Sequence, residues 1–176
     1  MEETAVTDIA KRTLGRTGVE ITNLGYGSME LRGKGRSGTL TDDDAGKMLN
    51  AVLDCGINLI DTSIDYGLAE ERIGKYISSR RSEYFLASKC GCLAEGQPAP
   101  EVRGNSRSIH LFTKENIIAG VEQSLQRMQT DYLDLVQLHA SPSKQVLEEN
   151  GIIEAMQQLQ TQGKVRFLGM SGTIPN

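Results

Sequence analysis

The sequence lacks the features that mark a nucleic-acid-binding, membrane-spanning or exported protein. Its 19 basic residues stand against 23 acidic ones, and the formal charge of −4 gives no electrostatic footprint for nucleic acid or an anionic membrane. No stretch reaches the roughly 18 apolar residues of a membrane span, and the N-terminus begins with acids instead of a basic run and an apolar core. We therefore expect no nucleic-acid partner, no membrane contact and no export.

Cysteine is scarce, and its three occurrences form no disulfide pattern. Cys55, Cys90 and Cys92 are an odd number without paired spacing, which is typical of a reducing compartment and predicts a cytoplasmic location. The "CGC" at 90–92 raises the question of a metal. Two thiolates without a nearby histidine or further paired cysteines fall short of a four-ligand site, so we expect no metal.

Apolar runs instead alternate with amphipathic segments along a single domain, residues 1–176. The opening "RTLGRTGVEITNLGYGS" predicts a β-hairpin with its turn at 16–18 and then a short strand. The five predicted strands lie at 24–28, 58–63, 84–89, 133–139 and 166–172. The four predicted helices begin after Thr41 and at positions 69, 113 and 146, the last one broken or bent near Gly151. This rhythm implies an α/β fold with a parallel sheet and right-handed crossovers.

A second α/β architecture competes with this one. The loop "GKGRSG" at 33–38 spells G-x-G-x-x-G, and Asp61 follows at about the 20-residue spacing of a dinucleotide-binding Rossmann fingerprint. In that fingerprint the glycines turn directly from strand into helix, whereas here "MELR" intervenes before and "TLT" after. The Rossmann interpretation is therefore the weaker one, and a flexible lid or loop is the alternative. The irregular segment 91–112 is a candidate active-site loop.

Polar side chains stand where the predicted strands end. The second strand ends at Asp61 with Tyr66 just beyond it, the third ends at Lys89, and the fourth ends at His139. In a parallel β/α barrel these ends meet at one face, so the four side chains would share a pocket. Each has a structural interpretation when taken alone, such as a core histidine or a strand-capping lysine. Their grouping at neighbouring strand ends favours a site, with Asp65 as a turn residue.

This set of groups suits proton delivery to a carbonyl that receives a hydride. A tyrosine with a pKa near 10 is a slow proton donor at neutral pH, but a nearby ammonium stabilises its phenolate and lowers that pKa. Asp61 would hold and charge-balance Lys89. His139, in its neutral form, would orient the carbonyl oxygen between itself and Tyr66.

Several segments resemble the aldo-keto reductase family: "LIDTSIDYG", "ASK", "SLQRMQTDYLDLVQLH" and "GKVRFLGMSG". The opening "RTLGRTGVEITNLGYGSME" is similar to the family's N-terminal hairpin and first strand. The resemblance implies a TIM-type (β/α)8 barrel, NADP(H) bound in extended form without a Rossmann motif, and a catalytic tetrad. The tetrad residues are Asp61, Tyr66, Lys89 and His139.

The resemblance also implies cofactor contacts. Ser171 matches the family position that contacts the nicotinamide carboxamide, but the usual next residue, asparagine, is Gly172 here. Ser28, Met29 and Asp61 are the other expected cofactor-binding residues. Met29 also has two other interpretations, as lining of the substrate pocket and as core.

Length is the main departure from the family. A full barrel needs about 250 residues, so 176 residues predict a partial barrel with an N-terminal hairpin, about five parallel strands and four helices. Open sheet edges would favour self-association. The favoured function is an NADP(H)-dependent oxidoreductase that acts on an aldehyde, ketone or alcohol. The alternative is a truncated or catalytically silent binding or regulatory module.

Overall fold

The computed structural model describes residues 9–35, 38–100 and 108–172. Within these ranges the strands are β1 (Lys11–Thr13), β2 (Glu20–Thr22), β3 (Tyr26–Gly27), β4 (Lys34–Gly35), β5 (Gly38–Thr39), β6 (Leu59–Asp61), β7 (Phe85–Cys90), β8 (Leu133–His139) and β9 (Val165–Ser171). The α-helices are α1 (Asp42–Asp54), α2 (Ala69–Ile77), α3 (Lys114–Met128), α4 (Lys144–Glu149) and α5 (Ile152–Thr161). Two 3₁₀ helices span Ser28–Arg32 and Ser78–Glu83. No helix in the described ranges is both long enough and apolar enough to cross a membrane.

Five strands form one parallel sheet in the order β3-β6-β7-β8-β9, and β1 and β2 form the predicted antiparallel hairpin. This sheet, with helices in its crossovers, is part of a (β/α)8 barrel, as predicted. One detail differs from the prediction: the first strand covers only Tyr26–Gly27, because Ser28 already begins a 3₁₀ helix. The fourth predicted helix is broken at Gly151, as predicted, because Gly151 adopts a left-handed conformation with φ of 64°, which divides the helix into α4 and α5.

Side-chain caps define where three of the helices begin. Thr41 accepts a hydrogen bond from the backbone N–H of Asp44 at 3.2 Å, and Thr113 accepts one from Asn116 at 3.3 Å. Ser143 caps α4 in the same way through Val146. Such caps contribute about 1 kcal/mol each, which explains why the starts of α1 and α3 could be predicted from sequence.

The glycine-rich loop at 33–38 is a short antiparallel connection. β4 pairs with β5 through the Lys34–Thr39 and Gly35–Gly38 registers, and residues 36 and 37 lie outside the described ranges. A dinucleotide fingerprint requires these glycines to lead from a strand directly into a helix N-terminus. The Rossmann interpretation is therefore wrong for this loop.

The two faces of the sheet have different partners. On the helix side, Ile60, Leu86 and Val136 are fully buried in the main core. The opposite face carries an apolar layer at the beginning of the strands, which the hairpin covers through Ile21. This layer consists of Leu59, Phe85, Leu135 and Phe167. The interior of the partial barrel is therefore closed at its amino-terminal end, which leaves the carboxyl ends of the strands for polar groups.

A buried carboxylate fixes the strands against one another at the closed end. Asp134 in β8 is 2% exposed and accepts a hydrogen bond from the backbone N–H of Leu86 in β7 at 2.8 Å. It also pairs with Arg81 and, across to β9, with Arg166, each at 2.6 Å. A buried charge with this many donors is compensated, and it holds the register on which the site at the other end depends.

Candidate active site

Strand register places the predicted polar residues on the interior face of the sheet. Asp61 pairs with Ala87, so Lys89, two residues further along β7, points to the same face as Asp61. Lys89 pairs with Gln137, and His139 pairs with Ser171. Because alternate residues share a face, these side chains form a polar layer above the apolar one. The apolar runs of the sequence thus carry the site residues at their carboxyl ends.

Asp61 and Lys89 form a direct ion pair. Lys89 Nζ lies 2.6 Å from Asp61 Oδ2 and donates a second hydrogen bond, of 2.8 Å, to the carbonyl oxygen of Thr62. The Lys89 side chain is 6% exposed, and burial of its charge is tolerated here because it is paired and hydrogen-bonded. Gln137 Nε2 donates to the other carboxylate oxygen of Asp61 at 3.5 Å.

Tyr66 lies in the turn that follows β6, between Lys89 and His139. The Lys89 ammonium is 5.1 Å from the centroid of the Tyr66 ring, and the His139 ring is edge-on to it at 6.2 Å. The next residue, Gly67, has a φ of 51°, and a Cβ there would lie 2.5 Å from the carbonyl oxygen of Arg32. Only glycine fits this close approach. The fold therefore brings together the four residues predicted as the tetrad.

His139 faces three polar atoms through Nδ1. Cys92 Sγ lies 3.1 Å away, and Ser63 Oγ and Asp65 Oδ1 each lie 3.4 Å away. Burial lowers the pKa of His139 below its usual value, and the nearby Asp65 carboxylate only partly opposes this. The imidazole is therefore neutral at pH 7, the form that the sequence analysis expects.

Asp65 has more partners than a turn residue needs. Its two carboxylate oxygens accept hydrogen bonds of 2.5 Å from Ser63 and Ser108. Burial raises the pKa of Asp65, but these two hydrogen bonds outweigh it and hold the pKa below the ordinary value. Sequence reasoning assigned Asp65 to the turn alone. Ser63 stands two positions away and could have been considered, whereas no sequence signal places Ser108 here.

Cys92 and His110 are further neighbours of His139 that sequence reasoning missed. They face each other in an antiparallel bridge that joins the two ends of the irregular segment after β7. The His110 ring is edge-on to that of His139 at 5.5 Å. Burial, followed by the charge of Asp65, raises the pKa of the Cys92 thiol to about 12. Cys90, in contrast, lies in the helix-side core.

A cavity of about 580 Å³ opens beside this cluster. It is lined by His110, His139, Ala140, Ser141, Ser171 and Gly172. Ala140 has a φ of 84°, a conformation that is rare for a residue with a Cβ and that is often found at functional sites. A Cβ at Gly172 would lie 1.7 Å from Ser141 Oγ, so the asparagine usual in the family does not fit unless Ser141 moves.

The predicted cofactor residues Ser28 and Met29 lie at the same end of the sheet. Gly27 of β3 pairs with Asp61, and Ser28 follows directly. Ser28 Oγ is buried without a hydrogen-bond partner in the described ranges, whereas the carbonyl of Met29 accepts from Arg32 Nε at 2.8 Å. The cavity of about 580 Å³ lies within the usual range of about 300–1,000 Å³ for small-molecule sites, and its lining includes Ser171 and Gly172 but not the fully buried Ser28. Cofactor contact by Ser28, Met29, Ser171 and Gly172 stays a prediction.

Comparison with known proteins gives consistent matches. The chain is 33% identical over 175 residues to L-galactose dehydrogenase of Arabidopsis thaliana, with 95% of this chain and 50% of that protein covered. It is 34% identical over 175 residues to aldo-keto reductase YhdN of Bacillus subtilis, which covers 97% of this chain and 47% of that protein. The chain thus spans about half the length of the curated relatives that it matches.

A solved structure and a family model agree with these relatives. The holo form of aldo-keto reductase AKR11C1 from Bacillus halodurans superimposes with a TM-score of 0.79 at 33% identity, covering 95% of this chain and 51% of that one. The model of the aldo/keto reductase family matches residues 23–175, which include all four strand-end residues of the predicted tetrad. The chain therefore belongs to the aldo/keto reductase family.

Proposed function

We propose that this chain carries the catalytic residues of an NADP(H)-dependent oxidoreductase. The reaction transfers a hydride between nicotinamide and an aldehyde, ketone or alcohol, and Tyr66 is the proton donor in the reductive direction. The observation that supports this best is the ion pair, of 2.6 Å, between the buried Lys89 and the partly exposed Asp61, beside the Tyr66 ring. It puts a fixed positive charge next to the one phenol of the cluster.

Each residue of the tetrad has a separate task. The bound nicotinamide supplies or takes the hydride. Tyr66 delivers its hydroxyl proton to the carbonyl oxygen as negative charge develops there, and Lys89 stabilises the phenolate that is left behind. Asp61 holds Lys89 in place and compensates its charge, and the carbonyl of Thr62 accepts from the same ammonium.

His139 orients the carbonyl oxygen with a neutral imidazole. Both oxygens of Asp65 already accept from serine hydroxyls, whereas the Cys92 thiol is protonated and lies 3.1 Å from Nδ1. As part of the proposal we assign the thiol as the donor to Nδ1, which places the ring proton of His139 on Nε2. The N–H at Nε2 can therefore donate to the substrate oxygen. An imidazole whose two nitrogens both had protein partners could not.

The experiment that tests this function uses NADPH with deuterium at the transferring position of the nicotinamide. The chain is incubated with a panel of aldehydes, ketones and aldose sugars, the last because one relative is an L-galactose dehydrogenase. Deuterium on the carbinol carbon of the alcohol product supports hydride transfer. The same panel with NADH tests the cofactor preference. Cofactor oxidation without deuterated alcohol would contradict the proposal.

The remaining expectations belong to the same proposal. A catalytically silent module is not favoured, since it gives no reason for all four residue types to meet at one end of the sheet. We propose further that residues 1–176 form a single domain, that the protein is cytoplasmic because its three cysteines are unpaired, and that its sheet edges self-associate.

A further inference from the structure

Three side chains of the types that commonly bind metals lie close together, and His139 is one of them. Cys92, His110 and His139 each offer one ligand atom, and these atoms all lie within 4.8 Å of one another. From sequence, the absence of a metal is expected because the "CGC" segment has no histidine beside it. The fold brings two histidines to Cys92 across long sequence separations, so the premise of that expectation does not hold.

The backbone holds these residues in place. The Cys92–His110 bridge is flanked by hydrogen bonds of 2.8 Å from Leu111 to Gly91 and from Leu93 to Ile109. The ring of Phe112 stacks on that of His110 with centroids 5.8 Å apart and limits its rotation. The third ligand, His139, ends β8, so the three side chains come from two rigidly supported pieces of backbone.

A second observation points to a ligand at this place. Nε2 of His110 is buried and has no hydrogen-bond partner in the part of the chain that the structure describes. A buried polar atom without a partner is costly by about 1–3 kcal/mol, and such atoms often mark the place of an ion or water that is absent.

We propose that Cys92, His110 and His139 form a Zn²⁺ site. A thiolate with two imidazoles selects a borderline-soft ion over Mg²⁺ or Ca²⁺, and three protein ligands with one open position are an ordinary zinc arrangement. Bonds of about 2.0–2.3 Å hold tetrahedral ligand atoms roughly 3.5 Å apart. The three ligand atoms lie no more than 4.8 Å apart, and Cys92 Sγ lies 3.1 Å from His139 Nδ1, so small movements complete the site. The metal displaces the proton of the Cys92 thiol, which is released to solvent.

Bound zinc would also affect the proposed reaction. It replaces the hydrogen bond between the Cys92 thiol and His139 and moves the imidazole that orients the substrate oxygen, so Zn²⁺ acts as a reversible inhibitor and a chelator restores activity. This consequence rests on the proposed function, whereas binding of the metal does not. Metal binding is therefore measured without cofactor or substrate, and failure of one proposal is distinguishable from failure of the other.

The experiment loads the whole chain with Co²⁺ and with Zn²⁺. Co²⁺ should give a thiolate charge-transfer band and intense tetrahedral d–d bands, and competing Zn²⁺ should abolish both at one equivalent per chain. Cys92→Ser and His110→Gln should weaken binding by at least about 10- to 100-fold, the loss that even an outer partner of a zinc ligand causes. Cys55→Ser, which removes the exposed cysteine at the end of α1, should bind like wild type.

X-ray absorption on the zinc-loaded wild type gives a test that does not depend on the folding of any variant. We expect a first shell with one sulfur and two imidazole nitrogens. A shell of oxygen alone, equal binding by Cys92→Ser and wild type, or loss of binding only in Cys55→Ser would each overturn the proposal.

Discussion

At the scale of single residues, the site depends on a charge that is buried and fully compensated. Lys89 is paired with Asp61 and hydrogen-bonded to the Thr62 carbonyl, and its ammonium lies beside the Tyr66 ring. Most lysines are exposed, and a buried one is retained only with partners. The position of this ammonium is therefore the feature that a substitution tests most simply.

Lys89→Met keeps the apolar stem and removes the charge. We expect turnover to fall by about 10²–10⁴, the usual contribution of a tuned proton donor, because the Tyr66 phenolate loses its stabilising ammonium. Lys75→Met is the matched control, since Lys75 pairs with Asp42 at the surface and should leave the rate unchanged. Steady-state kinetics on both variants makes the comparison, and equal rates in Lys89→Met and wild type would leave Lys89 only a structural role.

The His139–Asp65 pair predicts how stability depends on pH. Burial lowers the folded-state pKa of His139, so the unfolded chain binds more protons below its ordinary pKa of about 6.5. The free energy of unfolding should therefore decrease as the pH falls from about 6.5 towards the folded pKa. The lowered pKa of Asp65 adds a further decrease at lower pH, as its carboxylate becomes protonated.

Urea denaturation at a series of pH values measures this dependence. In His139→Gln the free energy of unfolding should no longer decrease near pH 6.5 but should still decrease at lower pH. In Asp65→Asn it should still decrease near pH 6.5, and the further decrease at lower pH should be lost. A wild-type curve that rises on acidification between pH 6.5 and 5 would contradict the sign that burial of His139 implies.

The sequence could predict that these four side chains lie together, because three of them stand at strand ends, Tyr66 follows in the turn after β6, and strand ends can be recognised from apolar runs. Asp61, Lys89 and His139 lie within one or two positions of the ends of β6, β7 and β8. The surroundings of His139 could not be predicted in the same way. Cys92, His110 and Ser108 belong to an irregular segment whose path depends on tertiary contacts and follows no periodic pattern.

At the scale of helices and strands, two helical glycines differ in how closely a neighbouring element approaches them. Gly74 of α2 lies against α3, where an added Cβ would be 2.2 Å from the carbonyl oxygen of Arg127. Gly120 of α3, in contrast, has nothing closer than 3.8 Å to such a Cβ. Alanine is preferred over glycine at both helical positions, but only at Gly74 would the added Cβ collide with a neighbouring helix.

Gly74→Ala should destabilise the protein by about 1–3 kcal/mol, because the backbones of α2 and α3 must separate. Gly120→Ala should be neutral or stabilising by roughly 0.5–1 kcal/mol, the helix preference for alanine over glycine. Thermal and denaturant unfolding of the two variants checks this pair. A smaller cost for Gly74→Ala than for Gly120→Ala would mean that the helix contact is looser than described.

The predictable elements share strong local signals. The caps at Thr41 and Thr113, the alternation of apolar runs and the left-handed glycine at 151 are each encoded within a few residues. The glycine pattern of the β4–β5 connection leaves a Rossmann loop open as the weaker interpretation, because composition alone does not distinguish a short hairpin from a strand-to-helix turn. The brevity of β3 likewise depends on where the 3₁₀ helix begins.

At the scale of the whole molecule, the sheet has two outer strands. In the described ranges β3 pairs only with β6, and β9 pairs only with β8. Met170 of β9 is 55% exposed. Unpaired parallel edges with apolar side chains tend to associate, so the arrangement predicts contact between copies of this chain.

Size-exclusion chromatography with light scattering should therefore find the chain as an oligomer at micromolar concentration. Met170→Lys places a charge on the exposed edge and should shift the distribution towards monomer. Met48→Lys, on an exposed position of α1, is the matched control and should not. A wild-type monomer at every concentration would contradict this prediction.

The central claim is that Tyr66 is the proton donor, and carbonyl reduction by Tyr66→Phe tests it most directly. Tyr132→Phe, which removes a phenol at the opposite end of β8, serves as the control. The account predicts that Tyr66→Phe loses about 10²–10⁴ in turnover while NADPH affinity stays nearly unchanged and Tyr132→Phe behaves like wild type. Turnover by Tyr66→Phe equal to that of wild type would contradict the account.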